Sequence, residues 1–131
     1  MLLADIFDKQ ERREESIQQT LQALELAKDI KDYSMQARIY GFLSTQYRTI
    51  GFFDIGKAYL EKGIAITSKI ENKEKTFSYM GMANQELADY AIEDEKYEEA
   101  IRYLELAILI YAQEKSENHR NFHLANAERM L

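Results

Sequence analysis

The chain has 131 residues, 46% of them hydrophobic, which is typical of one folded domain and not of a disordered segment. Its net charge of −6, with Lys and Arg interspersed among Asp and Glu, argues against direct binding of nucleic acid or of an anionic membrane. It has no proline and no cysteine, so we expect a helical protein without disulfides, thiol chemistry or a Cys-based zinc site.

The N-terminal residues begin with an apolar run that is too short for a targeting segment. Asp5 and Asp8 interrupt it, which excludes a signal peptide or a membrane span at this point. The lack of cysteine suits the cytoplasm, which is the compartment we expect. The periplasm stays open if these residues were cut from a longer, membrane-anchored protein.

Hydrophobic periodicity predicts seven helices and no strands. The first would span residues 2–9 and end in a turn at 10–13. The second would carry an apolar stripe of Ile17, Leu21, Leu24 and Ala27. The predicted helices after the first cover about 14–30, 33–50, 53–70, 74–93, 97–114 and 119–130.

The turns between these helices have recognisable signals. Asp32 is a predicted N-cap, and Gly51 is predicted to end a helix in the left-handed conformation. Asn72 is predicted to have positive φ. The helix at 97–114 is apolar almost all round, so we expect it to need neighbours on both sides.

An internal repeat organises the chain. Residues 51–56, GFFDIG, align with residues 95–100, EKYEEA, and small residues recur at Ala23, Gly63 and Ala107, at steps of 40 and 44 residues. Small residues at such points allow two helices to approach closely. Further matches pair Leu60 with Leu104, and Leu43-Ser44 with Leu87-Ala88.

This pattern resembles the tetratricopeptide repeat, in a long-period variant like that of bacterial AraC-type regulators. The residues that carry the resemblance in the middle unit are Tyr40, Leu43, Ser44, Tyr47, Gly56, Leu60 and Gly63. The resemblance implies an all-α, right-handed superhelix of three helical hairpins plus a C-terminal helix. It would form a single domain over 1–131, with units at about 1–30, 33–70 and 74–115 and a last helix at 119–130.

The resemblance also implies a function. Such arrays are generally non-enzymatic and hold a protein or peptide in a concave groove, and no acid, base or nucleophile arrangement here points to an enzyme or a cofactor. Among the groove positions we single out Arg48, because arginine can grip a carboxylate with two hydrogen bonds. The expected groove residues are Arg38, Thr45, Arg48, Thr49, Met82, Gln85, Asp89 and Ile92.

A second function remains open on the same residues. The chain could be a sensory or dimerisation segment of a larger bacterial regulator, either an AraC-type transcription regulator or a sensor kinase. A further repeat could begin after Leu131, and the apolar helix at 97–114 offers a surface for a homodimer.

Two weaker motifs have structural explanations. Residues 51–57 fit G-x-x-x-x-G-K, but Ala58 stands where a phosphate loop needs Ser or Thr, and a helix precedes the motif where a strand is needed. His119 and His123 could face the same way on the last helix, yet the sequence shows no well-spaced third ligand for a metal, which leaves Glu117 or an oligomer partner to supply it. We predict neither a nucleotide site nor a metal site.

Overall fold

The protein is built of helices. A computed structural model describes residues 2–113 and 117–131, with the side chains of residues 9–113 and 124–131. Within these residues the regular structure is entirely helical, which confirms the all-α prediction. The helices are α1 (Leu2–Asp29), α2 (Tyr33–Thr49), α3 (Phe53–Ile66), α4 (Lys73–Glu93), α5 (Tyr97–Tyr111) and α6 (Glu117–Met130), with a short 3-10 turn, Thr67–Lys69, after α3.

The N-terminal region forms one helix where the sequence predicts two. α1 is uninterrupted, so the predicted turn at 10–13 and the first predicted hairpin are wrong. Gln, Glu and Arg occupy those positions, and all three are good helix formers. The predicted apolar stripe is confirmed, since Ile17 and Leu24 are buried in the core shared with α2. Ala23, predicted to lie at a close helix contact, is exposed.

The C-terminal ends of α1, α2 and α4 share one geometry. Each is followed by a residue with positive φ, namely Lys31 (56°), Gly51 (89°) and Glu95 (60°). The next N–H then donates to the carbonyl five residues earlier, as Phe52 does to Tyr47 at 2.9 Å. This is the Schellman arrangement, in which glycine is the favoured left-handed residue. The prediction for Gly51 is confirmed, and Glu95 repeats the conformation 44 residues later.

The turn into α4 is built differently. α3 ends at Ile66, four residues before its predicted end. Asn72, predicted at positive φ, has a φ of −77° and is the N-cap of α4, accepting a hydrogen bond from the Lys75 N–H at 3.1 Å. That prediction was wrong because a short polar side chain serves equally at a left-handed turn and at an N-cap. Asp32 is confirmed as the N-cap of α2, with the Met35 N–H at 3.0 Å.

Each helix packs on the next along the chain, and α2 also contacts α4. The hairpins α2–α3 and α4–α5 have equivalent positions 44 residues apart. Their second helices, for example, begin at Phe53 and Tyr97. Their buried positions repeat at the same step. The buried pairs are Ser44 and Ala88, Gly56 and Ala100, Leu60 and Leu104, and Gly63 and Ala107.

Glycines inside the helices make room for tyrosine rings from neighbouring helices. The pairs are Gly56 with Tyr90, Gly63 with Tyr79, and Gly81 with Tyr111. A Cβ added at Gly63 would lie 2.9 Å from Cζ of Tyr79, and one at Gly81 would lie 2.7 Å from Cδ1 of Tyr111. Carbon atoms do not approach so closely, so a larger residue at these positions would displace the rings.

α5 is only partly covered. It contacts both α4 and α6, yet Ile101, Leu106 and Leu109 remain 47%, 47% and 62% exposed. The expectation that neighbours enclose this helix on both sides is therefore only partly met. None of the helices in the described part of the chain has the length and apolar character needed to cross a membrane.

Candidate binding groove

α2 and α4 lie side by side and run in the same direction. Residues of rising number on one helix meet residues of rising number on the other. The groove between them therefore has an N-terminal end, where both helices begin, and a C-terminal end. The contacts that establish this order are Gly41 with Tyr79, Thr45 with Glu86, and Arg48 with Asp89.

An apolar cavity of about 540 Å³ occupies the groove. The buried residues Ala37, Leu60 and Ala83 contribute to its wall. Phe42 from α2 and Met82 from α4 also line it and are 43% and 54% exposed. The volume falls within the range of ligand sites, and large apolar side chains left exposed beside a cavity are typical of interaction surfaces.

The C-terminal end of the groove carries a partly buried ionic cluster. The Arg48 guanidinium lies 3.3 Å from Glu86 Oε2 and 3.7 Å from Asp89 Oδ2. Thr45 Oγ1 donates to Glu86 Oε1 at 3.3 Å, and the guanidinium lies over the ring of Tyr90, 5.8 Å from its centre. One guanidinium faces two carboxyl groups, so this end has a net negative charge when both are ionised.

Burial dominates the electrostatics of the cluster. It raises the pKa of Glu86 and of Asp89, and the attraction of Arg48 lowers those pKa values only in part. Burial, followed by the charge of Glu86, also raises the pKa of the Tyr79 phenol, which therefore stays protonated. Among the described residues, Glu86 Oε2, Arg48 Nε and the Tyr79 hydroxyl find no hydrogen-bond partner, although the first two belong to the ion pair. Such groups are uncommon in protein interiors.

Five of the eight predicted groove residues lie at the groove. Arg38, Thr45 and Met82 line the cavity, and Arg48 and Asp89 form the ion pair at its C-terminal end. Arg48 does not stand ready to grip a carboxylate from a partner, because the carboxylates of the protein itself already engage it.

The other three predicted residues do not line the cavity. Gln85 accepts a hydrogen bond from the Tyr111 hydroxyl at 2.8 Å, and its amide donates to Met130 Sδ at 3.5 Å, so its side chain interacts with α5 and α6. Thr49 is exposed and its hydroxyl donates to the Thr45 carbonyl at 2.8 Å. Ile92 lies near the end of α4 and is 41% exposed.

Sequence reasoning missed Glu86, Phe42 and Tyr79, all of which line the cavity. Repeat-equivalent positions differ by 44 residues, whereas Thr45 and Glu86, which face each other across the groove, differ by 41. Comparing units therefore matches Thr45 with Asp89 and passes over the residue one turn earlier. The available signal was a carboxylate in the middle of α4, one helical turn after the apolar residues Met82 and Ala83.

The weaker motifs form no site in the described residues. Residues 51–57 form a turn and the start of α3, with Gly56 packed against Tyr90, and not a loop around a phosphate. His119 and His123 lie on α6, and their side chains are outside the described part. No group of three or more metal-ligating side chains occurs among the side chains that are described.

Comparison with family models, with curated proteins and with solved structures gives no match for this chain. The groove is therefore interpreted from its own geometry.

Proposed function

We propose that this chain is a non-enzymatic protein-interaction module that binds a peptide or partner segment in the groove between α2 and α4. The observation that carries the proposal is the apolar cavity of about 540 Å³ with Phe42 and Met82 exposed beside it. Apolar area buried on binding supplies the affinity, and the polar groups of the wall supply the selectivity.

The repeat supports the same proposal. Two hairpins built alike at a step of 44 residues place α2 and α4 in equivalent roles, and the groove is the space between two first helices of successive hairpins. This is where a tetratricopeptide-like array would hold its partner. We propose that the chain has the architecture of such an array, in which α1 precedes the two hairpins as a single helix.

A defined peptide library tests the function. The whole chain is immobilised, peptides are selected from a random displayed library, and the enriched sequences are measured against two matched variants. Met82→Arg places a charge beside the cavity, while Ile92→Arg makes the same change on α4 at a residue that does not line it. We expect selected peptides to lose at least tenfold in affinity for Met82→Arg and to keep their affinity for Ile92→Arg.

Equal affinity for the two variants would show that the peptides bind elsewhere, and the groove assignment would be wrong. If no sequence is enriched over repeated rounds, then the peptide-binding function itself is refuted. Circular dichroism of both variants checks that any loss reflects the site and not unfolding.

A second candidate function is favoured by α5. Its exposed residues Ile101, Leu106 and Leu109 are the kind of surface through which a sensory or dimerisation segment of a larger bacterial regulator would self-associate. Sedimentation velocity over a range of concentrations tests it. A dimer that is lost in Leu109→Arg and kept in Glu61→Arg, a charge reversal at an exposed residue of α3, would support self-association through this face, and a monomer at all concentrations would refute it.

A further inference from the structure

The groove has two electrically different ends. At the N-terminal end, Arg38 of α2 and Lys75 of α4 line the cavity. The N-termini of the two helices add positive potential there. Asp32 and Glu74 belong to the same helix ends but do not line the cavity. The cavity wall is therefore basic at this end.

At the other end the lining charge is Glu86. Its Oε2 is buried without a hydrogen bond among the described residues, and Arg48 is shared between this carboxylate and Asp89. Glu93 adds a further negative charge close enough to raise the pKa of Asp89. One guanidinium does not balance these acids, so a partner's cation placed against the exposed part of the Glu86 side chain, 25% of its surface, would gain Coulomb energy.

Between the two ends the wall is apolar. Gly41, Leu60 and Ala83 line it, with Phe42 and Met82 exposed beside it. An occupant that matches all three regions has an apolar middle, an acidic group at the N-terminal end of the groove and a basic group at Glu86.

The helix geometry sets the spacing of those groups. Lys75 and Glu86 are eleven residues apart on α4, which corresponds to about 16 Å along the helix axis. An extended peptide covers about 3.3 Å per residue, so its two charged residues would be about five positions apart.

We infer that the groove binds an extended peptide segment in which an acidic and a basic residue, about five positions apart, flank an apolar core. The inference rests on the proposed peptide-binding function and adds the charge order of the ligand. The basic residue pairs with Glu86, and the acidic residue lies between Arg38 and Lys75. The guanidinium of Arg48 stays with the protein's own carboxylates.

Four synthetic peptides of three charge types, all with blocked termini, test the charge order. They share one apolar core of about four residues and differ only in the flanking residues, which are one acid and one base, two acids, or two bases. The mixed peptide is made in both orders, so that chain direction does not decide the result. Affinities are measured by fluorescence anisotropy of labelled peptides on the whole chain, and we expect the mixed peptide to bind tightest, by a factor on the order of ten, since each exposed pair contributes roughly two- to fivefold.

A charge-reversed groove supplies the second arm. In Arg38→Glu/Lys75→Glu both ends are acidic, so the peptide with two bases should become the tightest ligand. The control Lys57→Glu/Arg102→Glu makes the same change in net charge at exposed residues of α3 and α5 that do not line the cavity. It should preserve the original ranking.

Four results would overturn the inference. Equal binding of all three charge types, or the same ranking in the charge-reversed groove, would remove the charge order. If library-selected peptides still bound this groove in that case, the proposed function would stand without it. The groove would also take a different occupant if a simple alkylamine displaced the mixed peptide with equal affinity. The same conclusion would follow if self-association of the chain abolished peptide binding.

Discussion

Gly63→Ala probes the glycine–tyrosine packing that holds the two hairpins together. The added methyl group would lie 2.9 Å from Cζ of Tyr79 and 3.1 Å from Cβ of Tyr40, and both neighbours are buried. Overpacking of this kind costs about 1–3 kcal/mol. Replacing glycine by alanine in a helix returns about 1 kcal/mol. We expect the free energy of unfolding to fall by about 0–2 kcal/mol, the difference between those contributions.

Gly41→Ala is the matched control. It also lies in a helix and faces the same ring, but its added Cβ would lie 3.6 Å from Cε2 of Tyr79, an ordinary contact. Without overpacking, only the higher helix propensity of alanine contributes, so this variant should be more stable than wild type by about 0.5–1 kcal/mol. Urea unfolding followed by circular dichroism measures both.

A rescue variant identifies the cause of the loss. Tyr79→Phe removes the hydroxyl that is nearest to the added methyl group and that has no hydrogen-bond partner among the described residues. In that background Gly63→Ala should cost less. If Gly63→Ala is as stable as Gly41→Ala, or if Tyr79→Phe leaves its cost unchanged, the close packing described for α3 and α4 is wrong.

Three further changes test other features. Glu95→Gly replaces a left-handed glutamate at the end of α4, and we expect about 1 kcal/mol of added stability in urea unfolding, with exposed Glu105→Gly losing a similar amount. Ala100→Arg forces a charge into a contact that is 3% exposed, so the melting temperature should fall by many degrees, while an unchanged value would contradict the burial of this position. Because burial raises the pKa of Glu86 above the ordinary value of 4.5, the folded protein holds a proton that the unfolded chain has lost, and stability should decrease as pH rises through that window. In urea unfolding at a series of pH values, Glu86→Gln should show a smaller decrease in stability and should be more stable than wild type above the window. Glu105→Gln removes an exposed carboxylate and is the control. If the two variants have the same pH dependence, the pKa of Glu86 is not raised by burial.

The sequence predicted the fold wherever local chemistry had one meaning. Asp32 and Gly51 each suit one role at a helix end, and the spacing between Leu60 and Leu104 repeats a burial pattern that the structure confirms. It failed for Asn72, whose side chain suits two different turns, and at residues 10–13, where helix-forming residues continue α1 through the predicted turn.

The candidate site was harder to predict than the fold. The two hairpins are equivalent at a step of 44 residues, but Thr45 meets Glu86 and Arg48 meets Asp89, pairs that differ by 41, an offset set by how one hairpin rests on the next. Aligning the two hairpins by sequence does not reveal that offset, because it depends on how the hairpins pack against each other. The pairing of Arg48 with Glu86 and Asp89 depends on it, and so does the finding that this arginine is not free for a partner.

The cavity lies at the interface between two hairpins, and this position links ligand binding to the cooperativity of unfolding. α2 belongs to one hairpin and α4 to the next, so an occupant in contact with both adds to the nearest-neighbour energy that joins adjacent units of a repeat array. A ligand that binds only the folded array adds about 2.7 kcal/mol of stability at one hundred times its dissociation constant. An occupied groove would therefore make the two hairpins unfold as one unit, and the sharpness of their unfolding transition would report on occupancy.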